Sequence, residues 1–217
     1  MSGLFVKDMR LLIKRKQVVI IFFVLAIIMG MSTDGSFFVG YLTFLSGIYA
    51  ISTISYDEMD NGYAFLMTLP IDAKTYVYEK YGFCSVMGII AWGISIVLLF
   101  VNCLRGGTSV GFAEQLTDAI VFIPCMLIFL DIMIPLQLKF GIEKSRVALA
   151  VFTGGIVVLS FGAKSIVERS GAEIPAFIEK LNGMSLSGII AFFIGVAAVC
   201  TVISVMCSIR IMEHKQY

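Results

Sequence analysis

Few residues of this chain have types and surroundings suited to chemistry. The first is Asp131, a lone carboxylate inside the apolar run IPCMLIFLDIMIPLQLKFG. A charge in hydrocarbon costs at least a few kcal/mol, so such a residue is usually functional or faces protein or water. Two readings are open at Asp131. It is a polar spot in a translocation cavity or a substrate contact, or it is a hydrogen-bonded, protonated or interface-wetted group that locks helix packing. Pro124 and Pro135 in the same run predict bends, and broken helices often line cavities. His214, the single histidine, has no neighbouring ligands, and Cys84, Cys103, Cys125, Cys200 and Cys207 show no C-x-x-C spacing. The cysteines read as small apolar residues, and no metal site is expected. G-x-x-x-x-G-K-[ST], H-E-x-x-H, a Ser/His/Asp set and a pair of membrane-buried carboxylates are all missing from the sequence. The chain is therefore expected to be no enzyme and to hold no cofactor of its own.

The second group of residues suits binding. Tyr56 to Tyr81, YDEMDNGYAFLMTLPIDAKTYVYEKY, interrupts the apolar runs and holds a third of the chain's 15 acidic residues. Asp57, Glu58 and Asp60 open it, and Asn61-Gly62 is a breaker that should end the preceding helix. A short apolar helix follows, Tyr63-Ala64-Phe65-Leu66-Met67-Thr68-Leu69, stopped by Pro70. Asp72 is an N-cap for the next helix, which runs through Tyr76, Tyr78 and Tyr81. So short an apolar helix outside a bilayer is marginal alone and leaves a greasy surface in water, so it needs a groove to lie in.

The elements that must position these residues are membrane spans. Of the 217 residues, 59% are hydrophobic and 14% charged, with a mean hydropathy of +0.97. Soluble domains carry about 25% charged residues. The expected fold is an all-α integral membrane protein, one transmembrane domain over residues 1–217. Its six spans are expected at about 17–32, 36–55, 81–101, 116–137, 147–163 and 185–209, against a need of roughly 20 helical residues each. Ser32-Thr33-Asp34-Gly35 is a tight hairpin between the first two. Before the first span, residues 3–16 put Leu4, Phe5, Met9, Leu12 and Ile13 mostly on one side, and Lys7, Arg10 and Lys14 on the other. That pattern is an interfacial helix leading into the membrane, or a plain basic flank. No small-residue cleavage site follows it, so it does not read as a signal peptide. Ser187, Ala191 and Gly195 form a small-residue face suited to helix packing in the last span.

Lysine and arginine counts set the orientation. With the N-terminus inside, 12 of the 16 basic residues fall on inner loops and only Arg105, Lys164, Arg169 and Lys180 outside. Both termini and the loop 56–80 are then cytoplasmic. So is a charged loop, Gln137 to Arg146, after the fourth span. Asn102 to Glu114 reads as an external turn. The external stretch 164–184 is a short interfacial helix, given Ile174, Phe177, Ile178 and Leu181, or a loose surface loop. Charges segregated by loop, with a net of +1, give no basic face for nucleic acid.

Across nearly its whole length the chain resembles a permease subunit of an ATP-binding-cassette (ABC) transporter of the type-2 exporter superfamily. The residues that carry the resemblance are Lys7-Asp8 before a basic run, Tyr56-Asp57-Glu58, and Leu69-Pro70-Ile71-Asp72 leading to Tyr76-Val77 and Lys80-Tyr81. Pro135-Leu136, Lys139-Phe140-Gly141, Glu143-Lys144 and Arg146 complete the set. The resemblance implies six helices per subunit, a dimer of permeases (a homodimer or a pair with a similar subunit) and two cytoplasmic ABC ATPase subunits that bind ATP and Mg. It makes Tyr63–Leu69 the coupling helix, with Tyr63, Phe65, Leu66, Met67 and Leu69 as apolar anchors ahead of Pro70 and with Glu58 and Asp60 at the rim of the ATPase groove. In particular the chain is similar to compact permeases of the bacterial cell membrane that export amphipathic or antimicrobial peptides, such as phenol-soluble-modulin exporters. A peptide or other amphipathic cargo is the implied substrate.

Two other classes share some of these features. An ion-coupled transporter or channel using Asp131 predicts an inverted repeat and further midplane ionisable residues, and neither is in the sequence. A membrane scaffold recruiting a cytoplasmic partner shares the apolar helix but has no need of a bent, Asp-bearing fourth span.

Overall fold

The computed structural model describes residues 2–32, 35–59, 62–63, 72–104, 111–170 and 186–214. These residues form six helices: α1 (Ser2–Lys14), α2 (Lys16–Ser32), α3 (Gly35–Glu58), α4 (Ala73–Leu104), α5 (Phe112–Ser170) and α6 (Leu186–His214). The chain is an all-α membrane protein. Among the described residues, four stretches are long and apolar enough to cross a bilayer: Phe38–Glu58, Ala73–Leu104, Phe112–Gly141 and Ile190–His214. The other two expected spans lie on helix as well, 17–32 within α2 and 147–163 in the second part of α5.

The helix boundaries follow local chemistry. The Asp72 carbonyl accepts a bond from the Tyr76 amide at 3.1 Å, so α4 starts where an N-cap was expected. At 32 residues and about 1.5 Å per residue, α4 is longer than a hydrocarbon core of about 30 Å. Part of it therefore projects beyond the lipid, and its first turns, with Lys74, Glu79 and Lys80, are the charged ones.

The charged loop expected over Gln137–Arg146 is corrected. Helix runs through it, and the break is a single residue, Gly141, at φ 73° and ψ −175°. That conformation is open essentially to glycine alone. Charges at an interface can stay on helix, whereas a glycine with no Cβ can turn the chain in one step. The non-helical residue in α5 is therefore Gly141 and neither of the two prolines. The helix also continues to Ser170, past the expected end at 163; the remainder of the 164–184 stretch lies outside the described residues.

Helix α3 is central. It packs on α4 and α5, α6 packs on α5, and α1 and α2 flank the bundle. Near the polar segment the core gathers Leu12, Ile54, Tyr76, Phe83, Leu130 and Met212; at the far end it gathers Phe38, Val39, Leu99 and Ala119. There Trp92 Nε1 donates to the Ala119 carbonyl at 2.8 Å. Gly88 lets α4 approach α5 so closely that a Cβ would strike the Met126 sulfur. The outer faces stay apolar: Val199, Val202, Ile203 and Met206 on α6 are all more than half exposed, as helices surrounded by lipid require.

Helix α1 is more ordered in purpose than its amphipathic pattern predicts. Its buried line is Leu4, Asp8 and Leu12, spaced by four. Phe5, Met9 and Ile13 form a separate exposed apolar strip. From α3, Tyr49 Oη donates to the Leu12 carbonyl at 2.9 Å with the Arg15 carbonyl 3.2 Å away, a side-chain tie onto carbonyls that also accept from the Arg15 and Val18 amides where α1 gives way to α2. The Arg15 guanidinium lies 4.6 Å over the Tyr56 ring.

Candidate functional site

At the root of the polar segment, the middle of α1, the last turns of α3 and the start of α4 converge on one buried ammonium group. Lys80, in the second turn of α4, is wholly buried, and its Nζ donates to Asp8 Oδ2 of α1 and, at 3.2 Å, to Thr53 Oγ1 of α3. It also lies 2.8 Å from Asp57 Oδ2. Those three contacts match the three donors of an ammonium. Asp57 sits at the end of α3 and takes two further partners. Lys7 Nζ lies 2.5 Å from its Oδ1 and 3.2 Å from Asp8 Oδ1, and Tyr76 Oη donates to its Oδ2 at 2.9 Å. Thr53 in turn donates to the Ala50 carbonyl at 2.8 Å.

Two lysines face two aspartates, so this core of the cluster is neutral. Burying four charges costs several kcal/mol per ion before pairing, and the pairs with their extra hydrogen bonds recover that cost only in this one geometry. The cluster therefore fixes register: α1, the end of α3 and the start of α4 cannot shift separately. Glu79 is a fifth ionisable group here, 5% exposed, with neither carboxylate oxygen in a hydrogen bond.

The same cluster brackets the polar segment on both sides. Gly62 lies so close to the end of α3 that a Cβ on it would be 2.6 Å from the Asp57 carbonyl oxygen. Helix α3 ends at Glu58, ahead of the expected Asn61-Gly62 breaker, of which Asn61 lies outside the described residues. Tyr63 follows and is buried, its ring edge-on to Tyr76 with centroids 6.0 Å apart. The segment leaves from Asp57 and returns to Tyr76, and those two side chains are bonded to each other.

The residues singled out in the sequence fall into three groups. Tyr63 is a core residue of this chain. Glu58 is half-buried, with its carboxylate against the α-carbon of Gly141, so the end of α3 rests on the break in α5. Asp60, Phe65, Leu66, Met67, Leu69 and Pro70 lie outside the described residues.

Asp131 belongs to a second polar group, deeper in the bundle. It is 6% exposed, and Thr201 Oγ1 of α6 donates to its Oδ2 at 2.8 Å. Ser204 Oγ donates to its carbonyl, and Tyr81 Oη lies 2.5 Å from Ser204 Oγ and 2.9 Å from Ser208 Oγ. This seam joins α4, α5 and α6 and touches the ion-pair cluster through the adjacent residues Lys80 and Tyr81. Thr201→Val is expected to leave the buried Asp131 oxygen without a donor at a cost of about 1–3 kcal/mol, read as a lowered melting temperature of the purified protein. Val202→Ala, on the exposed outer face of α6, should leave that temperature nearly unchanged.

The fold and this site define a polytopic helical membrane protein in which a polar loop between two spans is tied rigidly to the bundle. The chain belongs to the ABC-2 family of transporter proteins, whose family model matches residues 3–213. No curated protein and no solved structure matches it. Membership implies the membrane permease of an ABC transporter; permeases of this family are generally non-catalytic and have their ATPase in a partner. The matched range takes in Lys7, Asp8, Asp57, Tyr76 and Lys80 alike.

Proposed function

We propose that this chain forms the transmembrane pathway of an ATP-driven exporter for an amphipathic cargo, a peptide first among candidates. In this reading it has six spans, with both termini and the loop 56–80 on the cytoplasmic side of a bacterial cell membrane, and it works as a homodimer with two ATPase subunits that bind ATP and Mg. One observation carries the reading: both ends of the segment around Tyr63–Leu69 are fixed to the bundle through Asp57, Tyr76 and Lys80. A segment so held passes a push on its apolar face to α1, α3 and α4 together instead of yielding to it. Phe65, Leu66, Met67 and Leu69 would seat in the ATPase groove by helix-in-groove recognition, with Pro70 ending the helix and Asp60 at the rim. Tyr63 is the inward anchor at the base. Glu58, against Gly141, extends the push to α5. Closure of the ATPases would then move the two permease halves as rigid bodies.

Two further observations support the cargo class. An apolar cleft of about 140 Å³ opens between α2, α3 and α4, lined by Phe22, Leu42, Met87, Ile90 and Ile94 beside the Ser46 and Tyr49 side chains. It is sized for one apolar side chain or a short alkyl stretch. Asp131 is hydrogen-bonded to Thr201, which suits a lock between helices better than an ion path.

Co-expression with ATPase subunits encoded nearby tests the reading, with Phe65→Asp/Leu66→Asp compared with wild type. The wild-type chain should co-purify with an ATPase and show cargo-stimulated hydrolysis, and the double variant should lose both while keeping its own melting temperature. Equal binding by the variant would remove Tyr63–Leu69 from the coupling role.

A further inference from the structure

At the end of the bundle that carries the ion-pair cluster, but on its other flank, α5 and α6 enclose a cleft of about 380 Å³ lined by Leu138, Lys139, Arg210, Ile211 and His214. Its three ionisable side chains are all exposed. Among the described residues neither the Lys139 ammonium nor the Arg210 guanidinium has a carboxylate partner. Lys139 lies over the Phe140 ring at 5.2 Å, and His214 Nδ1 sits 2.9 Å from the Arg210 carbonyl. Glu213, the acidic residue beside them in sequence, turns to Lys74 at 3.9 Å. Two cations with no carboxylate partner among the described residues thus face one hollow.

What lies beneath the cations selects their ligand. Arg210 and His214 continue a single stripe of α6 whose earlier members are Val199, Ile203 and Met206, exposed by 61%, 57% and 55%. From Val199 to Arg210 the stripe rises by about 16 Å at 1.5 Å per residue. That is roughly half of a 30 Å hydrocarbon core, the depth of one leaflet. Leu138 and Ile211, at the floor of the cleft, join the apolar stripe to the cationic rim. A free anion would use the rim alone, and an acidic protein surface would leave the stripe uncovered. An anionic phospholipid matches both, with its phosphate on Lys139 and Arg210 and an acyl chain along Val199 to Met206.

The geometry points to a specific inner-leaflet site for one anionic phospholipid per chain, with its headgroup held by Lys139, Arg210 and His214. The leaflet rests on the orientation proposed above; the site itself does not depend on the ATPase. Guanidinium and ammonium groups bind phosphate oxygens in complementary ways, one as a planar fork and one as a point charge. Because Lys139 stands two residues before Gly141 and Arg210 is on α6, a bound lipid would brace the break in α5 against the last helix.

The test uses the purified full-length permease without ATPase, stripped of lipid and titrated with phosphatidylglycerol or phosphatidylcholine of equal chain length. Native mass spectrometry reads the lipid retained per chain. Wild type should retain one phosphatidylglycerol and no phosphatidylcholine. Lys139→Gln/Arg210→Gln should weaken retention on the order of 30-fold, from the usual contribution of two basic residues at an anionic surface. Lys14→Gln/Lys16→Gln, which removes the same charge from exposed positions on α1 and α2, should retain it as wild type does. Both variants alter exposed side chains, so lipid-free melting temperatures should agree with wild type. Unchanged retention in the first variant, equal loss in the second, or equal retention of the neutral lipid would each overturn the site. So would displacement of the lipid by millimolar inorganic phosphate, which would mark a simple anion site. Loss of ATPase binding by the first variant with lipid retention intact would mark the cleft as a protein contact instead. Failure of the ATPase to co-purify with the wild-type chain bears on the transporter reading alone.

Discussion

Lys80→Met is expected to destabilise the folded protein by about 3–5 kcal/mol, the largest loss available from one side chain of this bundle. The substitution keeps most of the volume and removes the charge. It leaves Asp8, wholly buried, and Asp57, 5% exposed, facing each other with only the partly exposed Lys7 between them. Breaking a buried pair from one side is costly because the other charge stays uncompensated. The Thr53 hydroxyl also loses the donor it accepts from at 3.2 Å. For a chain of this length that cost corresponds to roughly 10 °C in melting temperature, measured on the protein in detergent.

The companion variant separates charge from packing. Lys80→Met/Asp8→Asn removes one charge of each sign and leaves Asp57 paired with Lys7, so it should recover more than half of the loss. If it recovers none, Lys80 acts through its packing against Tyr76 and Phe83 and the electrostatic account of the cluster is wrong. A functional readout follows from the same geometry. In the double variant the ATPase should still bind, since Phe65, Leu66, Met67 and Leu69 are untouched, while cargo-stimulated hydrolysis falls because the start of α4 has lost its Lys80–Asp8 tie to α1.

The helices of this protein were legible because lipid imposes long apolar runs, and α2, α3 and α4 begin or end within a few residues of the punctuation that Asp34-Gly35, Asn61-Gly62, Asp72 and Asn102 supply. What escaped was tertiary. Asp57, Glu58 and Asp60 read as one acidic patch, yet Asp57 turns in to two lysines while Glu58 turns to Gly141. Tyr63 read as part of a greasy outer surface and is buried against Tyr76. Asp8 entered only with Lys7, ahead of a basic run. A signal for it was present, since it sits midway between Leu4 and Leu12 on one line of a helix. Its partner, though, is 72 residues away, and no local pattern specifies that pairing. Lys7-Asp8, Tyr56-Asp57-Glu58, Tyr76 and Lys80 drew attention as separate patches of a family resemblance. The fold supplies the physical reason for most of them, which is a single ion-pair cluster.

The joint in α5 carries the second large expectation. Gly141→Ala should cost about 1–3 kcal/mol from backbone strain alone, since φ 73° with ψ −175° is a region that side chains with a Cβ avoid. It should also push the Glu58 carboxylate off its seat, because the new methyl would overlap it. The two contributions can be separated. Gly141→Ala/Glu58→Ala relieves the overlap and leaves the strain, so it should regain only part of the lost melting temperature; full recovery would mean that the backbone tolerates alanine here. The strain matters because α5 holds 59 residues, which as one straight rod would reach about 88 Å at 1.5 Å per residue, far more than a bilayer accommodates. For the apolar stretch 147–163 to return to lipid, the chain must turn before it, and Gly141, between Lys139 and Glu143, is the described residue whose backbone makes that turn. A variant that straightens the joint would carry Val147, 64% exposed, away from the membrane. Proteolysis of the protein in vesicles would then detect it as a new cleavage site in the stretch following Lys144.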